Sequence, residues 1–375
     1  MLLSRPTTIQ VFSRIRNCVR NMATEASVLV EERGNAGIIT LNRPKALNAL
    51  NTEMIRNAYA PLLQFEKEKS LVIVKGTGGK AFCAGGDVVS LVKSDPSHGQ
   101  AFFQAEYTLN HLIGTYTIPY IALIDGIVMG GGVGVSVHGK YRVATEKTMF
   151  AMPETAIGLF PDVGGSHFLP RLDGKLGIYL GLTGFRLKGK DVLKSGIATH
   201  YCESSKLASL ENDLVASNNF ADVDAALAKY CIKDDSEFVL AKNLAEINRC
   251  FDASTVEGII ANLEKDGSEW ALKTKETLSK MSPTSLKVTL KQLSLGAKLT
   301  LAECLQMEFR LGNHHVRDSD FAEGVRALLI DKDNQPKWKP PTLAEVTNDR
   351  VDSFFKPVSG VEDLDLEVTR AKSKL

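Results

Sequence analysis

The chain has 375 residues, of which 44% are hydrophobic and 24% charged, enough material for one large core with an appendage or for two domains. A formal net charge of +1 argues against the basic footprint of a nucleic-acid binder. The six cysteines, Cys18, Cys83, Cys202, Cys231, Cys250 and Cys304, form no CxxC pair and suggest neither a disulfide framework nor a zinc site, and no apolar run reaches the roughly 18 residues that spanning a bilayer requires.

In chain order, Met1 to Asn21 carries Arg5, Arg14, Arg16 and Arg20 with several Ser and Thr, and no acid precedes Glu25. That is the composition of a mitochondrial transit peptide, so residues 1–22 are read as one and the matrix as the destination. The chain ends Ser373-Lys374-Leu375, the tripeptide of peroxisomal import, which offers a second address, with Met22 as an internal start. Ser27 to Glu32 and Gly37 to Leu41 read as a hairpin turning at Arg33-Gly34-Asn35. Apolar residues at helical intervals from Leu47 to Phe65 predict the first helix. Leu71 to Val74 and Tyr120 to Ile124 read as buried strands, with a helix over Phe103 to Ile113 between them and another opened by Gly130-Gly131-Gly132. This alternation predicts an α/β core over residues 27–205. From about Leu207 the texture changes to charged amphipathic helices, so 206–375 is read as a mostly helical region.

Two glycine-rich stretches stand out as places where the backbone itself could do chemistry. In IALIDGIVMGGGVGVSVHG (121–139) a strand feeds three glycines that open a helix. Such a run costs backbone entropy, and an unpaired amide at a helix start suits a developing negative oxygen. KAFCAGGD (80–87) could supply a second, convergent amide; alone it reads as a turn. Competing motifs fail. Val137 stands where a dinucleotide fingerprint needs its third glycine, and His138 replaces the last glycine of a nucleophile elbow, leaving Ser136 an ordinary helix residue. Cys83 reads as packing, His314-His315 as a surface or helix-end pair, and the histidines form no HExxH, so no metal is expected.

A third stretch, MPETAIGLFPDVGG (152–165), places Glu154 and Asp162 in an apolar run. Burial there would raise their pKa toward values useful in catalysis; the bland alternative is a helix cap after Pro153 and a turn after Pro161.

Taken with LNRPKALNAL (41–50), GKAFCAGGD (79–87), GIVMGGGVG (126–134) and FAMPETAIGLFPDVGG (150–165), the chain resembles the crotonase, or enoyl-CoA hydratase/isomerase, superfamily. The resemblance implies a spiral of ββα units followed by a helical C-terminal region. Acyl-CoA would bind between them as substrate, with no separate cofactor. It implies that the amides of Ala84 and Gly131 form an oxyanion hole and that Glu106 lines the pocket. Hydratases of the superfamily carry a glutamate two residues past the glycine triplet, where this chain has Gly134, while Glu154 matches their other acid and Asp162 stands where they have glycine. That combination resembles a branch that hydrolyses short branched 3-hydroxyacyl-CoA thioesters in valine breakdown, with LTGFRLKGKDV (182–192), SDFAEGVRALLIDKD (319–333) and PKWKP (336–340) extending the match. In that reading Glu154 attacks the thioester or activates water, and Asp162 holds the 3-hydroxyl. An enoyl-CoA hydratase or isomerase, or a noncatalytic CoA- or RNA-binding member of the fold, are the alternatives. Trimers are common in the superfamily, so a homo-oligomer is expected unless the longer C-terminal half covers that surface.

Overall fold

A computed structural model of the chain describes residues 26–232 and 235–366; the expected transit peptide, Cys18 and the C-terminal tripeptide lie outside them. In chain order the strands are β1 (Val28–Arg33), β2 (Ala36–Leu41), β3 (Leu71–Gly76), β4 (Ala81–Cys83), β5 (Tyr120–Ile124), β6 (Ile127–Met129), β7 (Tyr141–Ala144), β8 (Met149–Ala151), β9 (Leu187–Lys188) and β10 (His200–Tyr201). They form a six-stranded sheet ordered β1-β2-β3-β5-β7-β10 and a four-stranded sheet ordered β4-β6-β8-β9. The hairpin β1–β2 is antiparallel as its turn predicts, β8–β9 is antiparallel, and every other pairing is parallel.

The chain therefore steps from the large sheet to the small one three times, from β3 to β4, from β5 to β6 and from β7 to β8, and each step is one turn of the expected spiral. β5 is buried at every position and β3 from Leu71 to Val74, which is why they read as continuous apolar runs. β4, β6 and β8 have three residues each, too few for an alternation to show, and the small sheet was invisible to periodicity for that reason.

The helices used below are α1 (Thr52–Glu68), α2 (Pro96–Gly114), α3 (Gly131–Val137), α4 (Leu207–Val215), α5 (Phe220–Tyr230), α6 (Pro283–Gly296), α7 (Leu301–His315) and α8 (Ser319–Val325). α1 starts five residues later than its apolar spacing predicts: Leu47 and Asn48 adopt left-handed backbone, and the Asn51 side chain caps the helix by accepting from the Met54 amide. The cores lie on both faces of the large sheet. On one face Ile38, Ile73, Ile121 and Val143 meet Leu210 and Leu214 of α4 and Val223 and Leu227 of α5, each a fully buried side chain of the kind that contributes about 1.5–3 kcal/mol. The other face belongs to a larger cluster running from Val28 to Leu366, so the packing crosses residue 205 without a break. α8 packs against the turn Glu154–Ile157, and the Ser282 amide donates to the Thr155 carbonyl at 3.1 Å, which brings the C-terminal helices onto the segment that carries Glu154.

Asn48 shows how the loops over the sheets are pinned. Buried and at φ +57, it donates from Nδ2 to the carbonyls of Thr77 (3.0 Å) and Ala81 (2.9 Å), while its Oδ1 accepts from the Arg43 amide at 2.9 Å. Replacing it with alanine strands three partners, the Ala81 carbonyl buried and the other two half-buried, and puts a Cβ residue without a local hydrogen bond in left-handed backbone. The Asn48→Ala protein should lose about 2–4 kcal/mol of stability, read from urea midpoints; a loss under about 1 kcal/mol would show that the pin carries little.

Candidate active site

The site is built where α3 starts. Gly130 (φ +44) turns the chain off the end of β6, and Gly131 opens the helix, so its amide has no intrahelical acceptor. The glycines are required by what lies against them. A Cβ on Gly132 would stand 2.8 Å from the carbonyl carbon of Cys83, and one on Gly131 would collide with Oε1 of Glu106 and come 3.2 Å from the Gly86 amide nitrogen. The end of β4 and the start of α3 thus touch backbone to backbone.

Here the structure corrects one expected donor. The Ala84 amide is already spent on the Leu47 carbonyl, at 3.0 Å. Gly85, at φ +120, then turns the chain, and the amide facing Gly131 is that of Gly86, which donates to no acceptor among the described residues. The converging pair is Gly86 and Gly131. The only trace of this in the sequence is the second glycine of Ala84-Gly85-Gly86.

Three carboxyls close on that pair. Glu106 comes from α2, Glu154 from the first position of the turn after Pro153, and Asp162 from the loop after Pro161; they are 1%, 5% and 5% exposed. Glu154 does begin a turn, but it caps nothing: Oε1 lies 2.8 Å from where a Cβ on Gly130 would be, and Oε2 has no partner. Oε1 of Glu106 is also buried without a partner. Asp162 accepts a 3.0 Å hydrogen bond from the Tyr107 hydroxyl. Burial, then the charge of Asp162 and that of Glu154, hold the Glu106 carboxyl well above its ordinary value. Burial and the nearby Asp162 do the same to Glu154. Burial pushes Asp162 up to about 7 against the Tyr107 hydrogen bond, which pulls it down. Carboxyls poised in this way can exchange protons or attack near neutrality.

Residues that sequence reasoning passed over complete the site. Tyr107 follows Glu106 directly, and Asn110 lies one helical turn beyond it on the same face of α2. Asn110 is wholly buried with both amide atoms unpartnered, and it fills the space beside Gly134: a Cβ there would stand 2.7 Å from Asn110 Nδ2 and 2.7 Å from Val163 Cβ. No acid side chain fits at position 134. Cys83 packs as expected, its thiol pushed up to about 12 by burial. Ser136 donates to the carbonyls of Gly132 and Val133 inside its own helix, and His314-His315 ends α7 with His315 buried. Among the described residues no group of His, Cys, Asp and Glu is arranged to hold a metal ion, and no helix is long and apolar enough to cross a membrane.

Comparison with known proteins gives concordant results. A family profile described as Enoyl-CoA hydratase/isomerase matches residues 36–355. The chain is 56% identical to "3-hydroxyisobutyryl-CoA hydrolase, mitochondrial" of Xenopus laevis over 369 residues, covering 96% of both chains. It is 54% identical to the Homo sapiens protein of that name over 348 residues, covering 90% of both. Among solved structures it is similar to a carnitinyl-CoA dehydratase from Mycobacterium thermoresistibile, with a TM-score of 0.85 and 39% identity over 92% of this chain and 99% of that one. It is also similar to an enoyl-CoA hydratase from Rhodobacter sphaeroides, with a TM-score of 0.82 and 35% identity over 91% and 100%.

The raised carboxyls make a signed statement about stability. An acid that holds its proton more tightly when folded contributes stability that is complete below about pH 4, its unfolded value, and is lost as pH rises through its folded value. For Asp162 that loss runs from pH 4 to about 7. The Asp162→Asn protein, which cannot ionise there, should lose less Tm than the parent between about pH 4 and pH 8. An equal or steeper decline in the variant would show that the carboxyl is not held protonated by its surroundings.

Proposed function

The chain belongs to the enoyl-CoA hydratase/isomerase family, and from that membership and the geometry we propose that it hydrolyses 3-hydroxyisobutyryl-CoA, and 3-hydroxypropionyl-CoA with it, to the free 3-hydroxy acid and coenzyme A. The observation that carries this reading is the convergence of Glu154 and Asp162 on two unspent amides, at a site with no room for another acid at Gly134. The reaction is the step of valine breakdown implied by the name of the curated relatives, and their names also support a mitochondrial location, with import into the matrix through residues 1–22.

The thioester oxygen would accept hydrogen bonds from the amides of Gly86 and Gly131, and the negative charge that gathers on it as the carbonyl is attacked would be stabilised by dipoles already in place. Glu154, with one carboxyl oxygen unpartnered, would deliver the attack on the acyl carbon, either directly to form a mixed anhydride or by taking a proton from the attacking water. The carbon–sulfur bond breaks, the thiolate leaves as coenzyme A with a proton, and water supplies the new oxygen of the acid. Asp162, steadied by Tyr107, would take the hydrogen bond of the 3-hydroxyl, and Glu106 would line the far wall beside Gly131. Coenzyme A enters only as part of the substrate. Hydratase chemistry, the activity named for the Rhodobacter sphaeroides neighbour, calls in this superfamily for a second acid two residues past the glycine triplet, which Asn110 and Val163 exclude sterically.

The expected result with the purified protein is free-thiol release from 3-hydroxyisobutyryl-CoA and 3-hydroxypropionyl-CoA, and no water addition to 2-enoyl-CoA thioesters. Glu154→Gln should lower kcat by about 100- to 10,000-fold while coenzyme A binding stays within about threefold. Near-parental hydrolysis by that variant would exclude both roles given to Glu154. Gly131→Val should abolish turnover, because its side chain meets Glu106 and Gly86 where the thioester oxygen must sit; an active enzyme would contradict the placement of the oxyanion pair.

A further inference from the structure

The loop that carries Asp162 has one turn bond of its own, from the Gly165 amide to the Asp162 carbonyl at 2.8 Å. Val163, a β-branched residue, sits at φ +52 and Gly164 at φ +83, two successive left-handed residues in which only the glycine is at ease. The other ties that fix the loop come from outside it. The Pro161 carbonyl accepts from Nε2 of Gln292 on α6 at 2.8 Å, and Nε2 of His138, the residue that follows α3, lies 2.7 Å from the Val163 carbonyl. The strongest tie is Glu308 on α7. Its Oε2 accepts from the Gly164 amide at 2.7 Å, and its Oε1 accepts from the Ser166 amide at 2.9 Å and the Ser166 hydroxyl at 2.6 Å. Glu308 is fully buried and lies 142 or more residues away in sequence from the groups it holds. Burial pushes the Glu308 carboxyl up to about 8, and the three donors of the loop pull it back down.

We infer that Glu308 is a positioning residue: its two carboxyl oxygens lock the left-handed 163–164 backbone through the loop's donors and so aim Asp162 at the acyl group. The kinetic part of this inference rests on the proposed hydrolase reading; the structural part does not. Two properties of the carboxylate matter, and each has its own variant. Glutamine keeps the size, but its amide nitrogen cannot accept, so one loop amide is left facing a donor. Aspartate keeps the carboxyl group but withdraws it by one methylene.

The experiment measures steady-state kinetics with the 3-hydroxyacyl-CoA substrate and amide hydrogen exchange in the full-length protein. Glu308→Gln should lower kcat by about 10- to 100-fold with KM within about threefold, because the coenzyme part of the substrate is untouched while the acyl group is misaligned. Exchange at the Gly164 and Ser166 amides should rise, with protection of the Leu159 amide, which donates to the Glu154 carbonyl, unchanged. Glu308→Asp should show the same split at smaller amplitude, and it serves as the test should the glutamine variant fail to fold. Parental kcat in either folded variant, unchanged exchange at residues 164–166, or a loss of protection spread through α6 and α7 overturns the inference. If the parent protein releases no thiol from any 3-hydroxyacyl-CoA, the hydrolase reading falls, and the exchange measurement still decides whether Glu308 holds the loop.

Discussion

The closeness of two pieces of main chain governs this site. The carbonyl end of β4 rests against Gly132, with nothing larger than hydrogen between them, and only at that distance can the amides of Gly86 and Gly131 point toward one spot. Two of the three strand steps from the large sheet to the small one deliver these pieces: β3 to β4 brings the first, β5 to β6 the second, and the parallel pairing of β4 with β6 sets their spacing. The spiral is thus a device for placing peptide groups, which do not titrate and need no rotamer to be frozen. Glycine is the cost of this arrangement, since any Cβ at 131 or 132 would force the two pieces apart.

Around that neutral pair the molecule gathers four buried acids, and it treats them in two ways. Glu308 is given three donors and makes a fixed structural contact. Glu106 and Glu154 each keep an oxygen with no partner at all, and Asp162 has a single side-chain donor, the Tyr107 hydroxyl. Buried polar atoms are nearly always satisfied in folded proteins, so unsatisfied ones concentrated within one cluster mark where a substrate or water completes the hydrogen bonding. Stability and reactivity are separated here by how many donors each carboxyl receives, not by how deeply it is buried.

Much of this was legible in the chain. β3 and β5 stand out as unbroken apolar runs, the Arg33-Gly34-Asn35 turn marks the hairpin, and the helical texture after residue 206 marks the second half. The small sheet was not legible, because three residues carry no period. The resemblance implies Ala84, and the sequence does not tell which amide of Ala84-Gly85-Gly86 is free; that depends on where the Leu47 carbonyl falls and on the φ of +120 at Gly85, both of which are set by tertiary packing. Glu106, Glu154 and Asp162 do converge, but Tyr107, Asn110 and Glu308 looked like ordinary helix residues, since their partners are 55, 24 and 142 or more positions away.

The cover over the outer face of the large sheet has a consequence for how the molecule can be cut or rebuilt. Ile38, Ile73, Ile121 and Val143 belong to the strands, yet what shields them is supplied by α4 and α5, beyond residue 206. A fragment ending at residue 205 would present a flat, four-strand-wide apolar wall to water, the kind of surface that draws chains together. Glu308, too, would be gone. The spiral and the helices that follow it are therefore one inheritable unit, and a graft of this chemistry onto another scaffold would have to carry both.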